Sequence, residues 1–492
     1  MKIKSLHLKN FRCFEDFEID FNTGDQERGG LTVLVAKNGE GKTAILDAIN
    51  VAWGPFFMNI PNTKAASFCI EDAHKSNDGN LIGLPMLNAT IENPPSFLVK
   101  FPNYKNFRLT RELVEKRKGF STTSTTETTT DDHWHLNNYA TYLLTNQNPN
   151  EPWPLFAYYG DDRLFSSVKL DSSAETVKLT DNPEYGYEGA ITPKKSYYAE
   201  FCNWFAKLEF CLRDEKINRD EGVPQLDENT YVKYQKFDVL VKKAIEDALQ
   251  PTGWTNIGYM NNTKEIVVWR KEHQERIPIS RLSAGNRMTI GMIGDLAFRC
   301  CRLNSNKNMG ALIATPGIVL IDEIELHLHP SWQQQILPTL QKIFPKIQFI
   351  VTTHSPQVIS SVPAECVRII DNGNVYGAVG TEGAESSRIL TRIFGTEAYP
   401  KSNPVRQKLM EYLDLVYKNQ WKSPRAQELR RDLDQIYQGE EPLLFEADLH
   451  IENEEWEEAH PGDDEESIAN ESQTAILNVC EPKQTYDAGE GK

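Results

Sequence analysis

Three segments of the chain predict an α/β fold organised around a mostly parallel central sheet. One is the apolar run Leu31 to Val35, which breaks at Lys37-Asn-Gly-Glu-Gly41 and continues as the helical pattern Ala44, Ile45, Leu46, Ala48, Ile49. Another is Gly317 to Ile321, which ends in Asp322-Glu323; the third is Ile347 to Val351, which ends in Thr-Thr-His354. Short apolar runs without alternation suit strands covered on both faces, as in parallel sheets. All three lead into residues that can do chemistry.

The first turn is built for phosphate. Strand, glycine-rich turn and helix place the backbone N–H groups of Lys37, Asn38, Gly39, Glu40, Gly41 and Ala44 around an anion at a helix N-terminus. Lys42 would reach the β- and γ-phosphates and the Thr43 hydroxyl a Mg²⁺ ion, so ATP and Mg²⁺ are the expected cofactors. Ala36 stands where the G-x-x-x-x-G-K-[ST] pattern has its first glycine. An ordinary glycine-rich turn is the bland alternative.

Asp322 and Glu323 sit where ligands of open α/β sheets bind, at the C-terminal edge of a buried strand. Asp322 would hold Mg²⁺ and Glu323 would act as general base toward the attacking water; the competing reading is a pair that merely caps the strand. His354, at the end of the third run, would reach the γ-phosphate. A fourth segment, Ser280-Arg-Leu-Ser-Ala-Gly-Asn286, opens a helix marked by Met288, Ile290, Met292, Ile293 and Leu296. Ser283 with the N–H groups of Ala284 and Gly285 forms a second anion-binding helix start.

In this order the motifs resemble the ABC-type ATPases of the SMC, RecF and OLD group, whose Leu-Ser-Gly-Gly-Gln signature is matched as Leu282-Ser-Ala-Gly-Asn286. Leu8-Lys-Asn-Phe-Arg-Cys-Phe14 resembles that group's first strand and turn, which would bring Arg12 near the nucleotide. The resemblance implies that Ser283, Ala284 and Gly285 of one subunit close on ATP held by another, so that the heads self-associate as a dimer or higher oligomer.

The chain has 492 residues, 39% hydrophobic and 25% charged, ordinary for a soluble globular protein with two or three domains' worth of core. No apolar run approaches the roughly 20 residues of a membrane span, and Ile3, Leu6 and Leu8 alternate with charges where a signal sequence would be apolar. The eight cysteines show no C-x-x-C pair and suit free thiols in a reducing cytoplasm.

Motif spacing divides the chain. Residues 1–57 form the N-terminal part of the head. Residues 58–150 form a β/loop insertion, with strand-like Ser96 to Phe101 and Phe107 to Thr110 and a threonine-rich tract, Ser121 to Thr130, expected to be a mobile loop. Residues 151–169 return to the head sheet through Trp153 to Gly160, followed by Asp161-Asp162-Arg163, a nucleotide contact or a plain surface turn. Residues 170–260 form a helical-hairpin insertion, Tyr197 to Asp214 and Tyr231 to Leu249. Its lysines (194, 195, 233, 236, 242, 243) could meet nucleic acid or make a solvated face. Residues 261–395 complete the head, including strands near Val362 to Ile370 and Val375 to Val379. A helical segment, 396–439, contains helices from Val405 to Lys418 and Pro424 to Tyr437.

Residues 440–492 carry 17 acidic and 2 basic side chains and read as a disordered tail with docking islands at Leu443 to Phe445 and Trp456. Asp432-Leu-Asp434 sits in an arginine-rich helix and reads as a surface pair rather than a nuclease site, and His327-Leu-His329 as part of the loop after Asp322-Glu323. Without an appended nuclease, the chain most resembles the ATPase subunits of Septu-type antiphage systems. That resemblance implies an HNH endonuclease partner, with nucleic acid reached through the complex. A DNA-repair or recombination ATPase and a nucleotide-sensing scaffold are the other classes the sequence allows.

Overall fold

The computed structural model describes residues 1–25, 28–76, 78, 81–92, 106–117, 119–127, 136–146, 151–161, 182–192, 197–260, 262–270, 275–396 and 402–460. They divide into two compact units, residues 1–396 and 397–492.

The first unit begins with β1 (Lys2–Phe11), β2 (Phe14–Asp20), β3 (Leu31–Ala36) and helix α1 (Lys42–Phe57). Next come β4 (Met86–Glu92), β5 (Asn106–Lys116), β6 (Gly119–Glu127), α2 (Leu136–Asn146) and β7 (Leu155–Tyr159). The helical pair α3 (Tyr197–Asp220) and α4 (Glu228–Leu249) is followed by β8 (Trp254–Met260), β9 (Glu265–Arg270), β10 (Glu275–Pro278) and α5 (Ala284–Leu303). Strands β11 (Gly317–Ile321), β12 (Ile347–Thr353), β13 (Val367–Asp371) and β14 (Asn374–Gly377) complete the set.

The central sheet has the order β14-β13-β3-β12-β11-β7, parallel except for the β13–β14 hairpin at Asn372-Gly373. Every residue of β3, β7, β11 and β12 is buried, which explains their mostly apolar character. Trp53, Phe56, Phe156 and Tyr187 interlock at one face of this sheet, with ring centroids 4.4 Å apart for Trp53–Phe156 and 5.5 Å for Phe56–Tyr187.

A second, antiparallel sheet has the order β2-β1-β4-β5-β6. The strands of region 58–150 therefore extend β1 and β2 instead of standing apart from them. The expectation of a mobile loop at Ser121 to Thr130 fails over 121–127, because β6 pairs with β5 from Lys116↔Gly119 to Arg108↔Glu127. Threonine is β-branched and favours a pleated strand, and Thr122 Oγ1 accepts a hydrogen bond from Phe68 N at 3.0 Å. Ser96 to Phe101 lies outside the described residues.

The helical hairpin is present, its turn closed where Asp227 caps α4 through Thr230 N. Region 170–260 is not wholly helical, however. Strand β8 begins at Trp254 and joins β9 and β10 in a three-stranded antiparallel sheet. Its alternation is interrupted by a bulge between Thr255 and Ile257, which hides the period-two signal.

Among the described residues the second unit contains three helices, Pro404–Tyr417, Pro424–Tyr437 and Pro442–Ala459, each with proline in its first turn. The third corrects the expectation of a disordered tail from residue 440. Leu444 and Ala447 bury their side chains against Leu409, Leu413, Leu429 and Leu433, while Arg430 Nη2 reaches Asp448 Oδ2 at 2.8 Å and Lys422 Nζ reaches Glu455 at 3.2 Å. Two apolar anchors one helical turn apart, together with Arg430 on the preceding helix and Lys422 in the turn before it, hold an acidic segment that net charge alone marks as disordered. Residues 461–492 lie outside the described set.

Candidate functional site

Strands β3, β12 and β11 are neighbours and parallel. Their C-terminal ends therefore bring loop 36–43, His354 and Asp322-Glu323 to one edge of the sheet. The turn at Gly41 has φ +90°, and a Cβ there would lie 2.4 Å from the Phe14 ring and 2.5 Å from Cys13 Sγ. Only glycine fits this left-handed position pressed against the β1–β2 turn. Ala36 ends β3 in extended conformation, paired with Ile370, and is buried. An ordinary L-residue is thus accommodated where the motif has glycine.

Lys37, Asn38 and Gly39 are exposed. Glu40 accepts a hydrogen bond from Asn372 N at 2.9 Å, and Lys37 Nζ lies 3.8 Å from Asp371, so the loop leans on the β13–β14 turn. Lys42 is buried and folds back, donating to the Ala36 carbonyl at 3.1 Å and the Lys37 carbonyl at 3.4 Å. Burial lowers its pKa against the opposing pull of Asp322, Glu323, Glu325 and Glu40.

Thr43 Oγ1 donates to Asp322 Oδ2 at 2.7 Å. Two hard oxygen donors meeting at the phosphate end of a helix are the set Mg²⁺ prefers, so these residues fit the ion. Thr352 fixes the pair behind them. Its hydroxyl donates to Asp322 Oδ1 at 2.5 Å and accepts from Glu323 N at 2.8 Å. Glu323 has φ +48°, a left-handed backbone unusual for a side-chain-bearing residue and costing roughly 1–3 kcal/mol, of a kind concentrated at functional sites.

Glu325, in the loop after Asp322-Glu323, is a further residue of the site that is absent from the sequence-based candidates. Its carboxylate accepts from Thr353 Oγ1 at 2.8 Å and from His354 N at 2.5 Å, locking the ends of β11 and β12 together. The only sequence signal was its position two residues past Glu323. His354 is partly buried, its ring centroid 6.0 Å from that of Phe394. Burial and then the charge of Lys42 lower its pKa, outweighing Glu325 and Asp322, so the ring is neutral at pH 7 and offers one donor and one acceptor.

Arg12, also at φ +49°, is held by carboxylates: Nε reaches Asp72 at 2.9 Å and Nη1 reaches Asp47 at 2.5 Å. Asp47 lies on α1 and accepts a further bond from Tyr158 OH at 3.0 Å. Its structural ties therefore run to α1 and to Asp72.

Ser283 caps α5, accepting from Asn286 N at 3.3 Å, and is exposed, while Ala284 is half-buried. Gly285 is buried against the loop that follows Glu323: a Cβ there would lie 2.5 Å from the His327 carbonyl oxygen. Further along α5, Asp295 and Arg299 form a buried ion pair at 2.8 Å, and Tyr159 OH, at the end of β7, donates to Asp295 at 2.7 Å. The signature helix is thereby keyed to the central sheet.

Other candidates have partners of their own or lie outside the described residues. Lys242 pairs with Asp238 at 2.8 Å and with Glu209, and Lys236 donates to Asn308 at 3.1 Å. Lys194, Lys195, Asp162 and Arg163 lie outside the described residues. Asp432 and Asp434 engage Lys408 at 2.5 Å and Arg430 at 2.8 Å. His329 accepts from Ser331 N at 3.3 Å and caps a short helix. Among the described residues no helix is long and apolar enough to cross a membrane.

Comparison with known proteins agrees with this geometry. The chain is 27% identical over 504 residues to the Retron Ec83 probable ATPase of Escherichia coli, covering 93% of this chain and 88% of that protein. It is 23% identical over 413 residues to the Retron Vc95 probable ATPase of Vibrio cholerae, covering 75% of this chain and 74% of that protein. The Septu protein PtuA of Bacillus mycoides matches only locally, at 56% identity over 50 residues, 10% of this chain and 7% of PtuA. Residues 1–359 match the family model described as an AAA ATPase domain, and the chain belongs to that family, as an ATPase of the SMC, RecF and OLD type.

Proposed function

We propose that this chain is the ATP-binding and hydrolysing subunit of an antiviral defence complex, and that it controls a partner HNH endonuclease through ATP-dependent association of its heads. The observation that carries the reading is the meeting of Thr43 and Asp322 at 2.7 Å beside Glu323, which joins a phosphate loop to a general base. Lys42 and the N–H groups of Lys37 to Ala44 bind the phosphates, Thr43 and Asp322 hold Mg²⁺, and the ion screens phosphate charge. Glu323 takes the proton of the attacking water, and neutral His354 donates a hydrogen bond to the γ-phosphate. Ser283, Ala284 and Gly285 of a second copy complete the site. The exposure of Ser283 in a single chain supports that role.

Likeness over most of the chain to retron ATPases and local likeness to PtuA support the defence assignment; in this proposal nucleic acid is contacted through the assembled complex and the chain itself has no nuclease activity. Purification of the native complex tests it. The expected result is co-purification of an HNH protein whose DNA cleavage changes when Glu323→Gln replaces the wild-type chain, while the chain alone leaves DNA intact. Cleavage by the isolated chain, or a native chain free of any nuclease, overturns the reading.

A further inference from the structure

Away from the ATPase edge, the hairpin α3–α4 and the sheet β8–β10 enclose a cavity of about 740 Å³, within the size range of small-ligand sites. Five elements contribute residues to it: Glu209 and Arg213 from α3, Lys242 from α4, Tyr259 from β8, Trp269 from β9 and Arg276 from β10. Such convergence of charged and aromatic groups from separate elements is unusual for a surface dimple.

The walls offer two kinds of contact. One is flat: the Arg276 guanidinium lies over the Trp269 indole, 5.2 Å from its centroid, so that cation and ring pack together on one wall. This packing depends on Gly258, where a Cβ would come within 2.9 Å of the Trp269 ring. Guanidinium and indole planes stack well on nucleobases. The other is cationic. Arg213 anchors one nitrogen to the Tyr259 carbonyl at 3.1 Å, yet its side chain stays 45% exposed, with donors to spare in a planar fork suited to phosphate.

Acidic groups at the back do not cancel this charge. Glu209 is engaged by Lys242 and by Tyr259 N at 3.5 Å, and Asp238 by Lys242 at 2.8 Å. Burial and the adjacent Glu209 push the Asp238 pKa up to about 7, so the acidic pair carries less than its full charge near neutrality. Arg213, 3.9 Å from Glu209, and Arg276 both keep exposed guanidinium groups for a ligand. A bulge in β8 at Asn256, with φ +47°, shapes the rim, and its N–H is committed to Glu246 at 2.9 Å.

We propose that this cavity binds a nucleobase together with its phosphate, the base stacking on the Trp269–Arg276 platform and the phosphate on Arg213. The shared chemistry has two sources, a free nucleotide or a nucleotide of a single-stranded nucleic acid. The site is separate from the phosphate loop and does not depend on the role proposed for the ATPase.

The test uses the full chain carrying Lys42→Ala, which suppresses binding at the phosphate loop, and two probes: AMP and a short 5′-phosphorylated single-stranded oligodeoxynucleotide. Saturable binding of either is expected, weakened by roughly 10-fold or more in Arg213→Ala/Arg276→Ala, as loss of two charge-assisted contacts requires. Trp269→Ala should weaken the probes as well. In an otherwise wild-type chain, the double arginine variant should retain ATP turnover and melting temperature, since both side chains are exposed. Saturation by AMP, with AMP displacing the oligonucleotide, identifies a free-nucleotide site; saturation by the oligonucleotide alone identifies a strand site. Absence of saturable binding by both probes, or unchanged affinity in the double variant, overturns the proposal.

Discussion

Thr43 and Asp322 are joined by a 2.7 Å hydrogen bond although 279 residues separate them in the chain. That bond joins the phosphate loop to the acidic strand end, and Thr352 holds the acidic side in register. The effects of substitution follow from which side is disturbed.

Lys42→Ala removes the buried cation that faces the phosphates and should weaken ATP binding. Glu323→Gln keeps the shape and the left-handed backbone but removes the base, so binding should persist while hydrolysis slows by roughly 10²- to 10⁴-fold. Equilibrium nucleotide binding and single-turnover hydrolysis separate the two. Wild-type turnover in Glu323→Gln would refute the assignment.

Ser283→Arg places a bulky cation at an exposed helix start. ATP binding by a single chain should be spared and the ATP-bound head dimer lost. Light scattering with Glu323→Gln, in which ATP is held without turnover, checks this; unchanged dimerisation in the Ser283→Arg/Glu323→Gln chain would count against completion of the site by a second copy.

His354 has its pKa lowered by burial and then by Lys42. A depressed histidine pKa means the folded chain takes up this proton only at a pH below the ordinary value of about 6.5. The neutral ring, and with it the His354 contribution to ATPase activity, should persist through pH 6.5 and fade below it. The sign for stability is the same: falling pH protonates His354 in the unfolded chain first and disfavours folding across that window. Removing the nearby positive charge in Lys42→Ala should move the His354 titration upward, as histidine NMR can follow. A downward move would contradict the geometry.

The buried Asp295–Arg299 pair predicts asymmetric mutational costs. Asp295→Ala leaves a guanidinium without its counter-charge in the core and should destabilise by about 3–5 kcal/mol. Asp295→Leu/Arg299→Met, which removes both charges, should cost much less. Denaturant unfolding of the two variants gives the comparison, and equal losses would mean that the pair itself is not the source of the cost.

Truncation after Gly439 removes Leu444 and Ala447 from the core of the C-terminal unit and should expose Leu409, Leu413 and Leu433 to rapid hydrogen exchange. Truncation after His460 should leave that protection intact. Equal protection in both truncated chains would show that the third helix does not stabilise the unit.

Much of the ATPase edge was legible because parallel strands bury both faces, so β3, β11 and β12 stand out as apolar runs with the reactive residues at their ends. Gly41, Asp322, Glu323 and Ser283 announced themselves by residue type and order. Glu325 did not, since its hydrogen bonds to Thr353 and His354 join two strand ends and leave no periodic trace. Strands β6 and β8 were hidden for different reasons: a threonine tract has the composition of a loop until β5 pairs with it, and the Asn256 bulge breaks the alternation of β8. The helix from Pro442 was masked by its charge, because two anchoring residues, Leu444 and Ala447, outweigh an acidic surface that dominates any average.

The distance between Thr43 and Asp322 along the chain also sets a schedule for synthesis. At about 5–20 residues per second, the ribosome delivers Asp322 roughly 15 to 55 s after Thr43 has been made. Throughout that interval β3 lacks both of its parallel neighbours, β12 and β13, and an unpaired apolar strand is a template for wrong pairing. The antiparallel sheet β2-β1-β4-β5-β6, whose strands are all synthesised by residue 127, can form meanwhile. Nucleotide capture, by contrast, must wait for nearly the whole first unit to emerge, which makes ATP a ligand of the finished head and gives it little hold on the nascent chain.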